Sequence, residues 1–226
     1  MKRQSIISIT ATLVLSLFVT RFGWAQATIP LAGEWRFAMD REDVGVAEKW
    51  FSKNLADKIK LPGILQSQGY GDDISLETDW TAALPRDMRW YLLPQYKQYT
   101  VPGNIKVPYL SQPPKHYLGV AWYQRDINVP QAWQGKNVHL FLERPRWQTT
   151  VFVDDKEIGS NNSLCAPHEY DLGAIAPGQH RLSIRADTRL NIVPGYRKDG
   201  HSVSDALGYS WNGIAGNIAL SAVSPV

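Results

Sequence analysis

Between His180 and Asp187 every second residue is apolar. Leu182, Ile184 and Ala186 fall on one side of an extended chain, and Arg181, Ser183 and Arg185 on the other. A period of two is the mark of a strand with one face on a core and one toward water, and a 3.6-residue helical repeat cannot accommodate it. The pattern recurs from Asn137 to Glu143, with Val138, Leu140 and Leu142 inward, and a β-branched run follows from Thr149 to Val153. The polar Asp154-Asp155-Lys156 after that run reads as a hairpin turn. Val120 to Val129 reads as a longer strand that stops at Pro130, Glu34 to Met39 as the first strand and Asn217 to Val223 as the last. Helical periodicity is confined to a turn or two around Val46 to Phe51. Short alternating runs separated by turn residues such as Pro177-Gly178 predict an all-β, antiparallel sandwich or barrel with Leu140, Leu142, Val151, Val153, Leu182 and Ile184 in its core.

One stretch departs from this pattern. Tyr70 to His116 contains Trp80, Trp90, Tyr91, Tyr96, Tyr99 and Tyr109 together with six prolines, and it barely alternates. Its aromatic content argues against disorder. It reads as an irregular, aromatic-rich insertion, residues 70–116, ordered against the sandwich and partly exposed, where flat apolar rings with polar edges could meet sugar C–H groups.

The N-terminus has a different purpose. A basic Met1-Lys2-Arg3-Gln4, an uncharged apolar run from Ile6 to Val19 and the small-x-small triplet Ala25-Gln26-Ala27 form a secretory signal peptide over residues 1–27. The apolar run is short for a membrane span. The expectation is a periplasmic or secreted protein whose mature part, residues 28–226, does not engage the membrane. Cleavage removes three of the 24 bases (Lys2, Arg3 and Arg21) and no acid, which leaves 21 bases against 21 acids. That balance offers no electrostatic footprint for nucleic acid. Cys165, the single cysteine, excludes an internal disulfide, and its apolar setting in Ser163-Leu164-Cys165-Ala166 predicts a buried small residue.

Catalytic motifs are sparse. The sequence has no Gly-rich phosphate loop, nucleophile elbow or His-x-x-x-His, and its five histidines (116, 139, 168, 180 and 201) are scattered, so neither a metal nor a cofactor is expected. Asp72-Asp73 and Asp154-Asp155 read as turn residues. One run is richer. His201-Ser202-Val203-Ser204-Asp205 and then Trp211-Asn212-Gly213-Ile214-Ala215-Gly216 bring polar groups, an aromatic and two glycines together just before the last strand. Two readings fit: a functional loop at the sandwich rim, or a Trp plugging the core beside glycine turns.

These residues also carry a family likeness. Leu31-Ala32-Gly33-Glu34-Trp35-Arg36-Phe37, Leu61-Pro62-Gly63, Gly119-Val120-Ala121-Trp122-Tyr123-Gln124-Arg125, Leu142-Glu143-Arg144, Val151-Phe152-Val153-Asp154, Ala166-Pro167-His168-Glu169-Tyr170-Asp171-Leu172 and the final Trp-Asn-Gly-Ile-x-Gly occur in this order. Together they resemble the N-terminal sugar-binding domain of family 2 glycoside hydrolases, the β-galactosidase and β-glucuronidase group, in its exported bacterial branch. Thr188 and Gly200 depart from that pattern.

The resemblance implies a jelly-roll sandwich, similar to galactose-binding domains, that partners an immunoglobulin-like domain and a catalytic (β/α)₈ barrel and binds a β-glycoside. In that family the two catalytic glutamates lie on the barrel, the acid directly after an Asn. No Asn-Glu dipeptide occurs in this sequence, so no catalytic residue is expected here. The resemblance assigns substrate contact to Asp205, with His201 and Asn212 supporting the loop and Trp211 anchoring it; the alternative for Asp205 is a turn cap. Two functions from different classes follow. One is the non-catalytic part of an exported hydrolase of O-glycosyl bonds. The other is a free-standing carbohydrate-binding module or lectin, with an inactive folded remnant as a third possibility.

Overall fold

The computed structural model describes residues 28–81, 90–107, 111–190, 203–205 and 208–225. The signal peptide read at 1–27 lies outside the described residues, as does His201.

Eleven strands among the described residues form two antiparallel sheets packed face to face. The five-stranded sheet contains β1 (Thr28–Pro30), β4 (Gly63–Ile64), β6 (Asn137–Arg146), β9 (His168–Gly173) and β11 (Gly213–Val223), in the order β1-β11-β6-β9, with β4 also pairing β11. The six-stranded sheet contains β2 (Gly33–Asp40), β3 (Asp57–Leu61), β5 (Val120–Val129), β7 (Gln148–Val153), β8 (Lys156–Asn161) and β10 (Gly178–Asp187), in the order β3-β2-β5-β10-β7-β8. Helical structure among the described residues is limited to short 3-10 turns, and no helix there is long and apolar enough to cross a membrane. This is the all-β antiparallel sandwich that the alternating runs predict.

The core lies between the sheets because alternate side chains of each strand point there. Leu140, Leu142, Ile218 and Leu220 come from one sheet, and Trp35, Phe37, Tyr123, Val151, Leu182 and Ile184 from the other. All six residues assigned to the core from sequence are buried. The strand read over Val120 to Val129 has those bounds, and the hairpin at Asp154-Asp155 joins β7 to β8 with Asp154 at φ 53°.

Five strands escaped the sequence reading: β1, β3, β4, β8 and β9. Most are short, and β9 hides its alternation because two of its three inward residues, His168 and Tyr170, carry polar atoms. Those atoms meet on the Thr149 hydroxyl of β7, His168 Nδ1 and Tyr170 Oη each at 2.6 Å.

Two expectations need correction. The outer face of β10 is not wet at its centre: Ser183, Arg185 and Asp187 are buried along with the inward residues. The chain between β2 and β3 crosses over that face, and Phe51 and Leu55 pack there on Trp122, Val120 and Phe152. The Asp40 carboxylate holds the crossing in place by accepting from Val44 N, Gly45 N (both 2.8 Å) and Trp122 Nε1 (3.0 Å). A period of two fixes which way side chains point but not what later covers them. Cys165 is exposed rather than buried. The loop between β8 and β9 turns outward on its own polar contacts, Ser163 N to Asn161 Oδ1 and Ala166 N to Ser163 Oγ.

The aromatic-rich stretch is fastened at its ends. Asp72 and His116 exchange backbone hydrogen bonds of 2.7 and 2.9 Å, and Arg41 grips the Asp72 carboxylate. Trp80 is buried, whereas Tyr91, Leu92, Leu93, Tyr96 and Val101 are exposed. The stretch is thus part core and part surface.

Two stability measurements check this arrangement. Ile184→Ala is expected to lower the unfolding free energy by about 2–5 kcal/mol, and Val46→Ala, at an exposed position, to change it by less than about 0.5 kcal/mol. Equal shifts of the urea midpoint would contradict the placement of the core. At the β7–β8 hairpin, His180 Nδ1 lies 2.9 Å from Asp154 Oδ2, and this hydrogen bond raises the His180 pKa. The pair therefore stabilises the fold below the ordinary histidine value of about 6.5 and loses that contribution as pH rises through the raised folded-state pKa. NMR titration should find His180 above 6.5, and His180→Asn should remove this part of the pH dependence.

Candidate functional site

The site read from the sequence lies where the chain enters β11. Asn212, the residue before that strand, is fully buried and uses every polar group it has. Its side-chain oxygen accepts from Tyr123 Oη of β5 at 2.7 Å. Its Nδ2 donates to Gly119 O and to Ala186 O of β10, at 3.1 and 3.2 Å. Its backbone N–H donates to Gln66 Oε1 at 3.1 Å, and its carbonyl accepts from Leu65 N at 2.9 Å. One side chain thus ties the start of a strand in one sheet to the two central strands of the other. Thr188, one of the departures from the family pattern, joins the same region by exchanging hydrogen bonds with Gly119.

Next along, Gly213 must be glycine. Its φ is +146°, and a Cβ there would lie 2.3 Å from Gly63 O of β4. Gly216, at φ +75°, sits in the β11 bulge, where a Cβ would strike the Glu143 carboxylate. Gly213 thus serves close backbone approach, and Gly216 the left-handed backbone of the bulge.

Asp205 is also fully buried. Its Oδ2 accepts from Thr81 N and lies 2.8 Å from the Thr81 hydroxyl, and its Oδ1 accepts from Ser210 N at 2.6 Å. Its own N–H donates to Thr81 Oγ1 at 2.9 Å. The carboxylate therefore turns into the chain and clamps the rim loop onto Thr81, within the aromatic-rich stretch. His116 stands beside the clamp, Nε2 4.0 Å from Asp205 Oδ2, with its ring edge-on to Trp80. Burial lowers the His116 pKa, against a smaller upward pull from Asp205.

Trp211 is half-buried on the outer side of the loop. The Arg146 guanidinium carbon lies 5.4 Å from the Trp211 ring centre and 5.4 Å from that of Trp147. Burial lowers the Arg146 pKa to about 10, although Asp205 opposes the shift. These residues, with Glu143, Arg144 and the 164–166 loop, line a recess of about 200 Å³. No group of three or more His, Cys, Asp or Glu placed to hold a metal occurs among the described residues.

No protein-family model matches the chain. A β-glucuronidase of Paenibacillus borealis is 23% identical over 184 residues, which cover 79% of this chain and 24% of that protein. Among solved structures, a β-glucuronidase from an uncultured Clostridium species superposes with a TM-score of 0.54 at 19% identity, over 89% of this chain and 30% of that one. The Ruminococcus gnavus β-glucuronidase, solved with D-glucuronic acid, gives a TM-score of 0.57 at 18% identity, over 88% and 30%. The chain has the β-sandwich fold found in family 2 β-glucuronidases. It spans roughly a quarter to a third of the length of these relatives.

Of the four residues singled out by sequence, Asp205, Trp211 and Asn212 gather at one rim, and His201 lies outside the described residues. Thr81, His116, Tyr123, Gln66 and Arg146 were missed. Thr81 and Gln66 carry no signal, being common polar residues far away in sequence. Arg146-Trp147 had one, an Arg-Trp pair one residue beyond the Leu142-Glu143-Arg144 landmark.

Removing the Asp205 carboxylate strands two buried N–H donors. Asp205→Ala is therefore expected to cost about 2–3 kcal/mol in urea unfolding, and an unchanged midpoint would refute the clamp. His116, held neutral by burial, should make stability fall as pH drops below about 6.5, because the unfolded chain then takes up a proton that the folded chain refuses until its lower pKa is reached. His116→Phe should flatten that limb.

Proposed function

We propose that this chain is the non-catalytic, sugar-binding domain of an exported β-glucuronidase-like glycoside hydrolase. The observation that carries the reading is the match to β-glucuronidase over 79% of this chain but only 24% of the relative, so the likeness is to one part of a larger enzyme. The order of landmarks in the sequence supports it independently. Hydrolysis with retention needs two carboxyl groups about 5–5.5 Å apart around the scissile bond; the resemblance assigns such a pair to a barrel domain, with an immunoglobulin-like domain alongside, and not to this sandwich. The part left to the sandwich is to hold a sugar and orient it.

Within this reading the rim before β11 is the sugar-facing surface. Trp211 offers an aromatic face, and Asn212 and the Asp205 clamp hold the loop in shape. Asp205 serves the loop rather than the ligand, since its acceptors are taken up inside the chain. Export rests on the signal peptide read at residues 1–27, with cleavage after Ala27.

The purified chain should bind β-glucuronide-bearing glycans on an array and release no nitrophenol from nitrophenyl β-glucuronide. Binding should fall at least tenfold in Trp211→Ala. Turnover that survives purification and vanishes when one carboxylate of this chain is removed would overturn the division of labour. An array with no glycan bound would remove the sugar-binding role.

A further inference from the structure

His180, near the start of β10, makes two contacts that a neutral imidazole cannot make together. Its Nδ1 lies 2.9 Å from Asp154 Oδ2 in the β7–β8 turn, and its Nε2 lies 2.7 Å from the carbonyl oxygen of Ala176 in the connection from β9 to β10. A carbonyl oxygen only accepts, and so does an ionised carboxylate. Both ring nitrogens therefore donate, and only the imidazolium carries a proton on each. Asp154 is held ionised: burial pushes its pKa up, and the hydrogen bonds from His180 and from Arg181 N more than reverse that. The Asp154 hydrogen bond leads the rise in the His180 pKa, burial works against it, and the Ala176 carbonyl adds to it.

The two partners are not held equally. Asp154 stays tied to β10 without the imidazole, because its Oδ1 accepts from Arg181 N at 2.8 Å and its own N–H donates to Arg181 O at 2.7 Å. In the connection, Ala174 to Pro177, Ile175 N bonds back to Gly173 O at 3.0 Å within the same turn, and Pro177 has no N–H to offer. Ile175 packs against the core from there, beside a hollow of about 520 Å³ lined in part by Ile158, Leu172 and His180. The other charged groups around the ring have partners of their own or stand aside. Asp126 of β5 is taken up by Arg36, Asp155 by the Ser52 hydroxyl, and Asp171 of β9 by Gly173 N. Arg181 of β10 is held by Ser52 O and Asn54 Oδ1, Lys156 of the turn is exposed, and the connection itself carries no charge.

We propose that His180 is a proton-operated latch: as an imidazolium it ties the β9–β10 connection to the β7–β8 turn, and on losing a proton to solvent it releases residues 174–177. The remaining proton stays on Nδ1, because a lone pair there would face the full charge of the Asp154 carboxylate. Nε2 then turns a lone pair on the Ala176 carbonyl, two acceptors at hydrogen-bond distance, and the less tethered side moves. The connection passes from one sheet to the other, so its release loosens the sandwich at that end while β10 stays paired with β5 and β7. The closed form binds its proton more tightly than the unfolded chain does. The latch is therefore shut below the ordinary histidine value of about 6.5 and opens as pH rises through the raised folded-state pKa.

Amide hydrogen exchange and ring NMR of the full chain, run from about pH 5.5 to about pH 9 with each rate divided by the intrinsic rate at that pH, test it. Protection of the Ile175 amide should fall at least tenfold, with a midpoint that coincides with the His180 ring titration, while Leu182 in β10 keeps its protection. His180→Gln, a neutral single donor, should leave Ile175 weakly protected at every pH. Asp154→Asn keeps an acceptor for Arg181 N and removes the charge, and should move the exchange and ring midpoints together to lower pH. Ile175 protection that does not change through the ring titration would overturn the proposal. So would the same pH dependence in His180→Gln, an unmoved exchange midpoint in Asp154→Asn, or ¹⁵N shifts showing one ring nitrogen unprotonated at the acid end.

Discussion

Asn212 is the constraint on which the rest of the structure depends. Sandwiches are held mainly by apolar burial between sheets, which is strong but non-directional and does not fix where one sheet ends relative to the other. Asn212 supplies the direction. Buried among Leu65, Gln66, Gly119, Tyr123 and Ala186, it satisfies five partners from both layers, and a buried polar group that is fully satisfied specifies one arrangement because any slip would orphan several groups at once. Gly213 allows β4 to come close enough for the Leu65 and Gln66 contacts to form.

The rim loop inherits its shape from that node. The Asp205 clamp reaches from the loop to Thr81, more than a hundred residues earlier, and so fastens the aromatic-rich stretch at an inner position to the same rim. With Asp205 turned inward, Trp211 is left half-buried at the rim, with the Arg146 guanidinium 5.4 Å from its ring centre. The rim therefore divides into an inner acidic clamp and an outer aromatic, cationic recess. Asp205 is also the acid whose field reaches both His116 and Arg146, so the two halves are electrostatically linked.

The sequence was most informative where a single rule governs the outcome. A β-branched run located β7, and period-two alternation located β6 and β10 and their inward residues, because side-chain direction in a strand is local. It misjudged the outer face of β10, because the cover there comes from a crossing segment more than a hundred residues earlier. It also misjudged Cys165, because an apolar neighbourhood in sequence need not be one in space. The Trp-Asn-Gly-Ile-x-Gly motif lies at the entry to β11, where Gly213 proved to be a site of close backbone approach. The partners that give Asn212 and Asp205 their roles are single residues scattered from Leu65 to Ser210, several of them bonding through their backbone, and nothing in a linear reading connects them. For the same reason Arg146 was overlooked: its meaning comes from Trp211, a residue that only the fold brings near.

Native-state amide hydrogen exchange, compared between the intact chain and Asn212→Ala, tests this account most directly. If the node fixes the rim, the amides of Leu65, Asp205 and Ser210 exchange in the wild type nearly as slowly as those of Ile218 and Leu220 in β11. In the variant they accelerate at least tenfold while Leu182 in β10 stays protected, as expected when a local opening is uncoupled from global unfolding. Wild-type rates typical of an open loop, or rim rates unmoved by the substitution, would contradict it.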